Sequence, residues 1–257
     1  MEERASIMEA IRLAGSIILE NGGETYRVED TVQRLGLALG AEDAQAFAVT
    51  SGVFITLTFA DGDIETKVYR AHRGGTQLDK VDAVNQVSRR AAEGDMTPQE
   101  VLEALREIKD RGSRFSPRML VFACAFSSAA FAVMFGGGWI DFGVSFVTGV
   151  AVQCLLAYLT RFKYSQVMQS LLGGALCMVL PTLFNQLTGL GVVDAMVGGN
   201  LMPILPGVAM TNAVQDIMRG DMLSGVGHAM QAILTAALIA GGGIVATRLL
   251  FVLEGVL

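Results

Sequence analysis

The chain has 257 residues, of which 52 % are apolar and only 17 % are charged, with a mean hydropathy of +0.48. A soluble domain carries about 25 % charged residues, so this composition excludes intrinsic disorder and argues against a single water-soluble globule. The net charge of −6 excludes a basic nucleic-acid-binding surface. Of the charged side chains, 35 lie in residues 1–118 and 9 in the rest. We therefore predict a soluble domain at 1–115 and a transmembrane domain at 116–257.

The first part of the chain has the pattern of a small α+β domain. Helical spacing and β-branched runs predict two helices over about 4–21 and 25–39, three strands at 47–50, 53–59 and 64–69, and two helices over about 78–92 and 98–110. Thr25 and Thr97 are the expected N-caps of the second and fourth helices, and Asp61-Gly62 is typical of a hairpin turn.

A polar cluster follows the third predicted strand. Arg70, His72 and Arg73 precede two glycines, whose exposed N–H groups together with the cationic side chains suit an anion-binding loop. The alternative is a solvated strand end. The sequence has no motif of a hydrolase or nucleotide-binding enzyme and no metal-ligand spacing, so we predict neither a catalytic residue, nor a metal, nor a cofactor.

The second part contains apolar runs long enough to cross a bilayer. Five spans are predicted at about 117–135, 140–160, 166–187, 192–213 and 226–250. Six basic residues flank the spans on one side and only Arg248 lies on the other, which places the N-terminal domain in the cytoplasm by the positive-inside rule. The fold class is thus a polytopic α-helical membrane protein preceded by a small α+β cytoplasmic domain. Asp141 and Asp194, at the outer starts of spans, are expected to be solvated helix N-termini.

The fourth span is expected to be broken. Pro206 and Gly207 interrupt it, and discontinuous helices are where transporters bind substrates, because half-helix N-termini attract anions. On this hypothesis backbone N–H groups near Gly207 bind a carboxylate, Thr211 and Asn212 orient it, and Asp216 carries a proton or balances a cation. The alternative is a packing kink, with Asp216 marking the membrane boundary. His228 either titrates near neutral pH or is a boundary histidine.

Four segments carry a resemblance to a known family. They are LAGSIILENGGETYRVEDTVQRLGLALG at 13–40, the R-x-H-R-G-G-x-x-L-x-x-V-x-x-V-N pattern at 70–85, SRFSPRML at 113–120, and PGVAMTNAVQDIMRGD at 206–221. Together they resemble the threonine/serine exporter family, in particular the larger component of its split form. The resemblance implies that Gly220 and Asp221 lie at the cytoplasmic end of the fourth span, where Arg219, Gly220 and Asp221 form either a cytoplasmic mouth or gate or a solvated loop.

The resemblance also implies a function. Members of this family export small carboxylate-bearing metabolites across the bacterial cytoplasmic membrane, and split members are linked to succinate export. The expected protein is therefore a proton-driven secondary transporter subunit, exporting a succinate-like dicarboxylate or threonine and serine. A short membrane partner or a homo-oligomer would complete the pathway. The alternative from another class is a membrane-anchored metabolite sensor, and an intramembrane enzyme is the least supported.

Overall fold

The computed structural model describes residues 2–71 and 75–254. It divides the chain into two compact units. The first unit comprises Met1–Arg114 together with Val208–Ala229, and the second comprises Phe115–Gly207 together with Met230–Leu257. The segment 208–229, which the sequence analysis assigned to the transmembrane domain, thus packs with the N-terminal residues.

The N-terminal part of the first unit has the predicted order of two helices, three strands and two helices. Its elements are α1 (Glu2–Glu20), α2 (Thr25–Ala38), β1 (Asp43–Val49), β2 (Gly52–Thr58), β3 (Ile64–Arg70), α3 (Leu78–Ala92) and α4 (Pro98–Asp110). The strands form one antiparallel sheet in the order β1-β2-β3. β1 begins four residues before its predicted start, because small residues such as Ala44 pair with β2 without giving a strong strand pattern.

The helices pack on one face of the sheet. Alternate residues of β1 and β2 are buried there, among them Ala48 and Ile55, against a core that includes Ile11 of α1 and Val28 of α2. A close approach between α2 and β1 requires Gly36, where a Cβ would lie 2.3 Å from the Ala44 Cβ. This packing fixes α2 against the sheet, and the N-terminal residue of the helix, Thr25, belongs to the site described below.

One predicted cap is present and the other is not. Thr97 caps α4 in a reciprocal arrangement with Glu100, as the sequence predicts. At α2, however, Glu24 occupies the N-cap position and makes no side-chain cap hydrogen bond, so the prediction for Thr25 is wrong. Thr25 is instead the first helical residue and is fully buried, and its hydroxyl contacts residues far along the chain.

The remaining helices are largely apolar. They are α5 (Pro117–Met134), α6 (Trp139–Arg161), α7 (Gln166–Thr188), α8 (Val193–Leu201), a 3₁₀ turn at Met202–Ile204, α9 (Gly207–Met218) and α10 (Met222–Glu254). Among the described residues four helices, α5, α6, α7 and α10, are long and apolar enough to cross a membrane, and a fifth span results if the bent pair 193–204 and 207–218 counts as one. The predicted fourth span is therefore broken at the proline, as expected.

Glycines bring α7 and α10 into backbone contact within the second unit. A Cβ on Gly174 would lie 2.1 Å from the carbonyl oxygen of Ile239, and one on Gly242 would lie 2.1 Å from that of Leu171. Both obstacles are backbone atoms, which side-chain rotation does not move. Small residues that allow such an approach are typical of helix pairs in membranes.

We expect Gly174→Ala to force α7 and α10 apart and to lower the free energy of unfolding by about 1–3 kcal/mol, the usual range for overpacking. The measurement is the melting temperature of the purified protein in detergent. The matched control is Gly173→Ala, because a Cβ there meets only ordinary van der Waals neighbours, the nearest being Leu156 Cδ2 at 3.5 Å. Equal melting temperatures for the two variants would contradict the close approach.

Asp141 is not solvated, contrary to the sequence prediction. It is 3 % exposed, and its two oxygens accept the N–H groups of Gly138 and Val192, each at 2.7 Å. The carboxylate therefore caps α6 and also fixes the segment that enters α8. The exposed Asp194, in the first turn of α8, fits the expectation of a solvated helix N-terminus.

Candidate functional site

A buried polar face of α9 forms the centre of the site in the first unit. Asn212 and Asp216, four residues apart, are only 6 % and 1 % exposed, so they share one face of the helix as their spacing predicts. The Asn212 amide donates to the Gly22 carbonyl at 3.2 Å. Asn212 thereby fixes the turn between α1 and α2, which presents Thr25 to the same face.

Asp216 is paired with His228 at the start of α10. The Asp216 Oδ2 lies 2.8 Å from His228 Nδ1, and both side chains are almost completely buried. The other carboxylate oxygen, Oδ1, lies 3.1 Å from the hydroxyl of Thr25. A buried carboxylate needs hydrogen-bond partners, and each oxygen of Asp216 has a polar side chain within hydrogen-bond distance.

The Thr25 hydroxyl lies between two carboxylates. It is 3.0 Å from Asp221 Oδ2 as well as 3.1 Å from Asp216 Oδ1. A hydroxyl carries one hydrogen, so it can donate to only one of these carboxylates at a time. The second contact becomes a hydrogen bond only when that carboxyl is protonated and donates to the hydroxyl oxygen. While both carboxylates are ionised, Thr25 therefore hydrogen-bonds only one of them at a time.

Asp221 and Glu29 have opposite pKa shifts next to this cluster. Partial burial opposes ionisation of Asp221, but hydrogen bonds from Ser224 and Thr25 outweigh it and lower the pKa of Asp221. Burial raises the pKa of Glu29, and the neighbouring charges of Asp221 and Asp216 raise it further, although Glu29 accepts the Ala48 N–H at 2.9 Å. Glu29 is therefore the carboxyl at this end of the unit for which burial and the neighbouring negative charges favour the protonated form.

We expect Glu29→Gln to raise the melting temperature by about 2 °C at neutral pH. Because the folded state raises this pKa, the stability linked to Glu29 is present below its unfolded pKa and is lost as pH rises through the folded one. Glutamine keeps an acceptor for Ala48 but no charge, so its advantage should disappear in acid. Thermal unfolding across pH checks this, with exposed Glu107→Gln as the control. A variant no more stable than wild type at neutral pH would contradict the shift.

The predicted mouth residues surround the turn between α9 and α10. The Arg219 guanidinium stacks 3.4 Å from the centre of the Tyr26 ring, a cation–π contact that ties the turn to α2. Gly220 has a φ of +89°, which favours glycine. Asp221 accepts the Ser224 N–H at 3.2 Å and so caps α10. The segment is thus held against α2 by two contacts, the Arg219–Tyr26 stacking and the Thr25–Asp221 contact.

The other predicted residues are more dispersed. Pro206 precedes α9, and the Gly207 N–H donates to the Leu205 carbonyl at 2.8 Å. Thr211 is exposed, one residue away from the buried face. Arg70 is exposed at the end of β3. His72 and Arg73 lie outside the described residues.

The sequence analysis did not place Thr25 and Glu29 in this cluster, and it did not predict the pairing of His228 with Asp216. Thr25 and Glu29 lie in a segment whose sequence has the pattern of an amphipathic helix. No local pattern connects this segment with the residues about 190 positions later that Thr25 contacts. The chain has only two histidines, and one of them follows Asp216 by twelve residues. That short separation in the sequence was the one indication that His228 and Asp216 could pair. In the described part of the chain, no three His, Cys, Asp or Glu residues are grouped so as to hold a metal.

Comparison with known families decides the class of this protein. The sequence profile described as "Putative threonine/serine exporter" matches residues 9–250. The chain belongs to the threonine/serine exporter family. The family name and the apolar helices together indicate a membrane transporter and not an enzyme. No solved structure matches the chain.

Three curated relatives of this exporter-family chain carry names of two kinds. Two are named probable succinate transporter subunit YjjP. One, from Klebsiella aerogenes, is 24 % identical over 93 % of this chain and 92 % of the relative. The other, from Escherichia coli K12, is 22 % identical over 93 % of both. A third, the probable threonine/serine exporter of Mycobacterium tuberculosis, is 24 % identical over 90 % of this chain but only 44 % of its own length. These names do not favour the sensor alternative.

Proposed function

We propose that this chain is one component of a proton-driven exporter of small carboxylates in the bacterial inner membrane. The observation that carries the proposal is the buried Asp216–His228 pair beside the bridging Thr25 hydroxyl. Buried histidine and carboxylate side chains serve as proton relays in transporters. The family membership supports the transport function itself.

The proposed substrates are a succinate-like dicarboxylate or threonine and serine. Relatives that match over almost their whole length carry the succinate name, whereas the relative with the threonine/serine name is more than twice as long as the match. We propose that the N-terminal turn of α9, from Pro206 and Gly207 to Thr211, binds the carboxylate, and that Asn212 and Asp216 act from the buried face.

The proposed assembly has two components. The printed name of the succinate relatives includes the word subunit, and the match covers only 44 % of the Mycobacterium relative, which has a further half outside it. A short membrane protein equivalent to that half would complete the pathway, with a homo-oligomer as the other arrangement. The positive-inside rule supports placing the N-terminal domain in the cytoplasm. Arg219, Gly220 and Asp221 would then form the cytoplasmic mouth, and Arg70, His72 and Arg73 an anion-binding loop facing the cytoplasm.

Efflux of labelled metabolites from cells tests this proposal. Cells would express the chain alone, or together with the short membrane protein, after loading with labelled succinate or labelled threonine. We expect efflux only when both proteins are present, and the label that leaves identifies the substrate. Efflux from the chain alone would support the homo-oligomer. Failure of both labels to leave in either case would contradict the exporter function.

A further inference from the structure

Four helices of the second unit meet at one level around Gly199 and Asn200. A Cβ on Gly199 would lie 2.6 Å from the carbonyl oxygen of Ser128, so α8 is in backbone contact with α5. On α6, a Cβ on Gly149 would lie 3.0 Å from the hydroxyl of the same serine. The Cys177 thiol of α7 donates to the Asn200 carbonyl at 3.3 Å. Asn200 therefore lies where α5, α6, α7 and α8 converge.

The Asn200 side chain has no hydrogen-bond partner at this convergence. It is 1 % exposed, and neither its Nδ2 nor its Oδ1 is hydrogen-bonded within the part of the chain that the structure describes. One turn before Gly149, the fully buried hydroxyl of Ser145 is in the same situation. Each unsatisfied buried polar group costs about 1–3 kcal/mol. Three such atoms on neighbouring helices therefore destabilise the fold unless another molecule hydrogen-bonds with them.

Ser145 and Asn200 lie on two helices that run in the same direction. Both helices start at the Asp141 carboxylate, which accepts N–H groups from Gly138 and Val192. Both pass Ser128, α6 at Gly149 and α8 at Gly199. Ser145 lies one turn beyond the shared start and Asn200 two turns beyond it. The two buried residues are therefore separated by about one helical turn, roughly 5 Å, along the helix axes, a spacing that the two oxygens of one carboxyl group can bridge.

The chemistry of these groups defines the ligand. The amide offers two N–H donors and one acceptor, and the serine offers a hydroxyl that can donate or accept. Asp141, the acidic residue one turn before Ser145, is already occupied by two backbone N–H groups. The site is therefore neutral and rich in donors, which suits a carboxyl or hydroxyl group of a small polar molecule and not a metal cation.

We infer that Asn200 and Ser145 form a binding site for the carboxyl group of the transported molecule inside the helical unit. The inference rests on the proposed function and extends it to a second place, separate from the Asp216 cluster. During export the substrate would replace its water shell with the amide of Asn200 and the hydroxyl of Ser145. In its absence, water would occupy the same groups.

The test combines stability and transport in the full chain. Succinate and threonine are added separately to purified wild type and to Asn200→Leu, and the ligand-dependent rise in melting temperature is measured. We expect the variant to be at least as stable as wild type without ligand, because it removes an unpartnered amide. It should lose the ligand-dependent rise and export its substrate about tenfold more slowly, equivalent to about 1.4 kcal/mol. Gln153→Leu, the same kind of change on α6, should keep both properties.

Each alternative outcome has a distinct meaning. A lower melting temperature of Asn200→Leu without ligand would overturn the inference, because it would show that the amide has a structural partner. The inference would also be overturned if succinate or threonine raised the melting temperature of Asn200→Leu as much as that of wild type. Asn200 would then bind water and not the substrate. If Asn200→Leu fails to fold, Ser145→Ala decides by the same readout. A wild type that exports neither label contradicts the proposed function instead, whereas export by wild type with unaltered variants overturns only the Asn200 site.

Discussion

Replacing Asp216 by asparagine should reduce substrate efflux at least tenfold while the amount of protein in the membrane stays unchanged. Asparagine has nearly the same shape and can still contact His228 and Thr25, so folding should survive. It cannot take up or release a proton, and a proton-coupled carrier would lose that step. The measurement is the initial rate of labelled efflux, normalised to the membrane content of the protein.

The matched control is Asp194→Asn, the same substitution at an exposed aspartate in the first turn of α8. It should leave efflux unchanged. His228→Gln should lower efflux as well, and the double variant with Asp216→Asn should be no slower than the worse single one, because the two residues act as a unit. Wild-type efflux in Asp216→Asn would contradict the role of this carboxyl in coupling.

Replacing Asp141 by alanine should give the largest loss of stability, about 3–6 kcal/mol. The carboxylate accepts two N–H groups in a buried place, and hydrogen bonds to charged groups contribute about 1.5–3 kcal/mol each. Its loss would leave the N–H groups of Gly138 and Val192 without their acceptor. We expect low yield of folded protein and a strongly reduced melting temperature, measured by thermal unfolding in detergent.

Asp194→Ala is the control for this second prediction, because Asp194 also begins a helix but is exposed. It should change the melting temperature little. Asp141→Asn should fall between the two, since an amide retains one acceptor oxygen in place of two. If Asp141→Ala were as stable as Asp194→Ala, the buried cap would make no contribution to stability.

Local patterns predicted much of the fold. The bounds of α3 and α4, the Thr97 cap, the hairpin at Gly62 and the break at Pro206 all follow from the nearest few residues. Periodicity also placed Asn212 and Asp216 on one face. Such features depend on backbone preferences that a short window of sequence contains.

Contacts between distant segments were beyond that reasoning. Thr25 was predicted as a cap because its neighbours resemble a helix start, yet its hydroxyl bridges Asp216 and Asp221. Asp141 was expected to be solvated, because nothing near it in sequence shows that Val192 would bury it. In each case a tertiary contact overrode a local preference, and the residues concerned are polar groups with a partner far along the chain.

The most direct test of proton-coupled export measures the movement of protons and of substrate across the same membrane. Membrane vesicles containing the chain and the short membrane protein would be loaded with labelled succinate or threonine and given an imposed pH gradient. We predict that the gradient drives substrate across the membrane, that a substrate gradient moves protons in the opposite direction, and that Asp216→Asn abolishes both. Substrate movement of equal rate with and without the pH gradient, in wild type and variant alike, would contradict proton-coupled export through the Asp216–His228 pair.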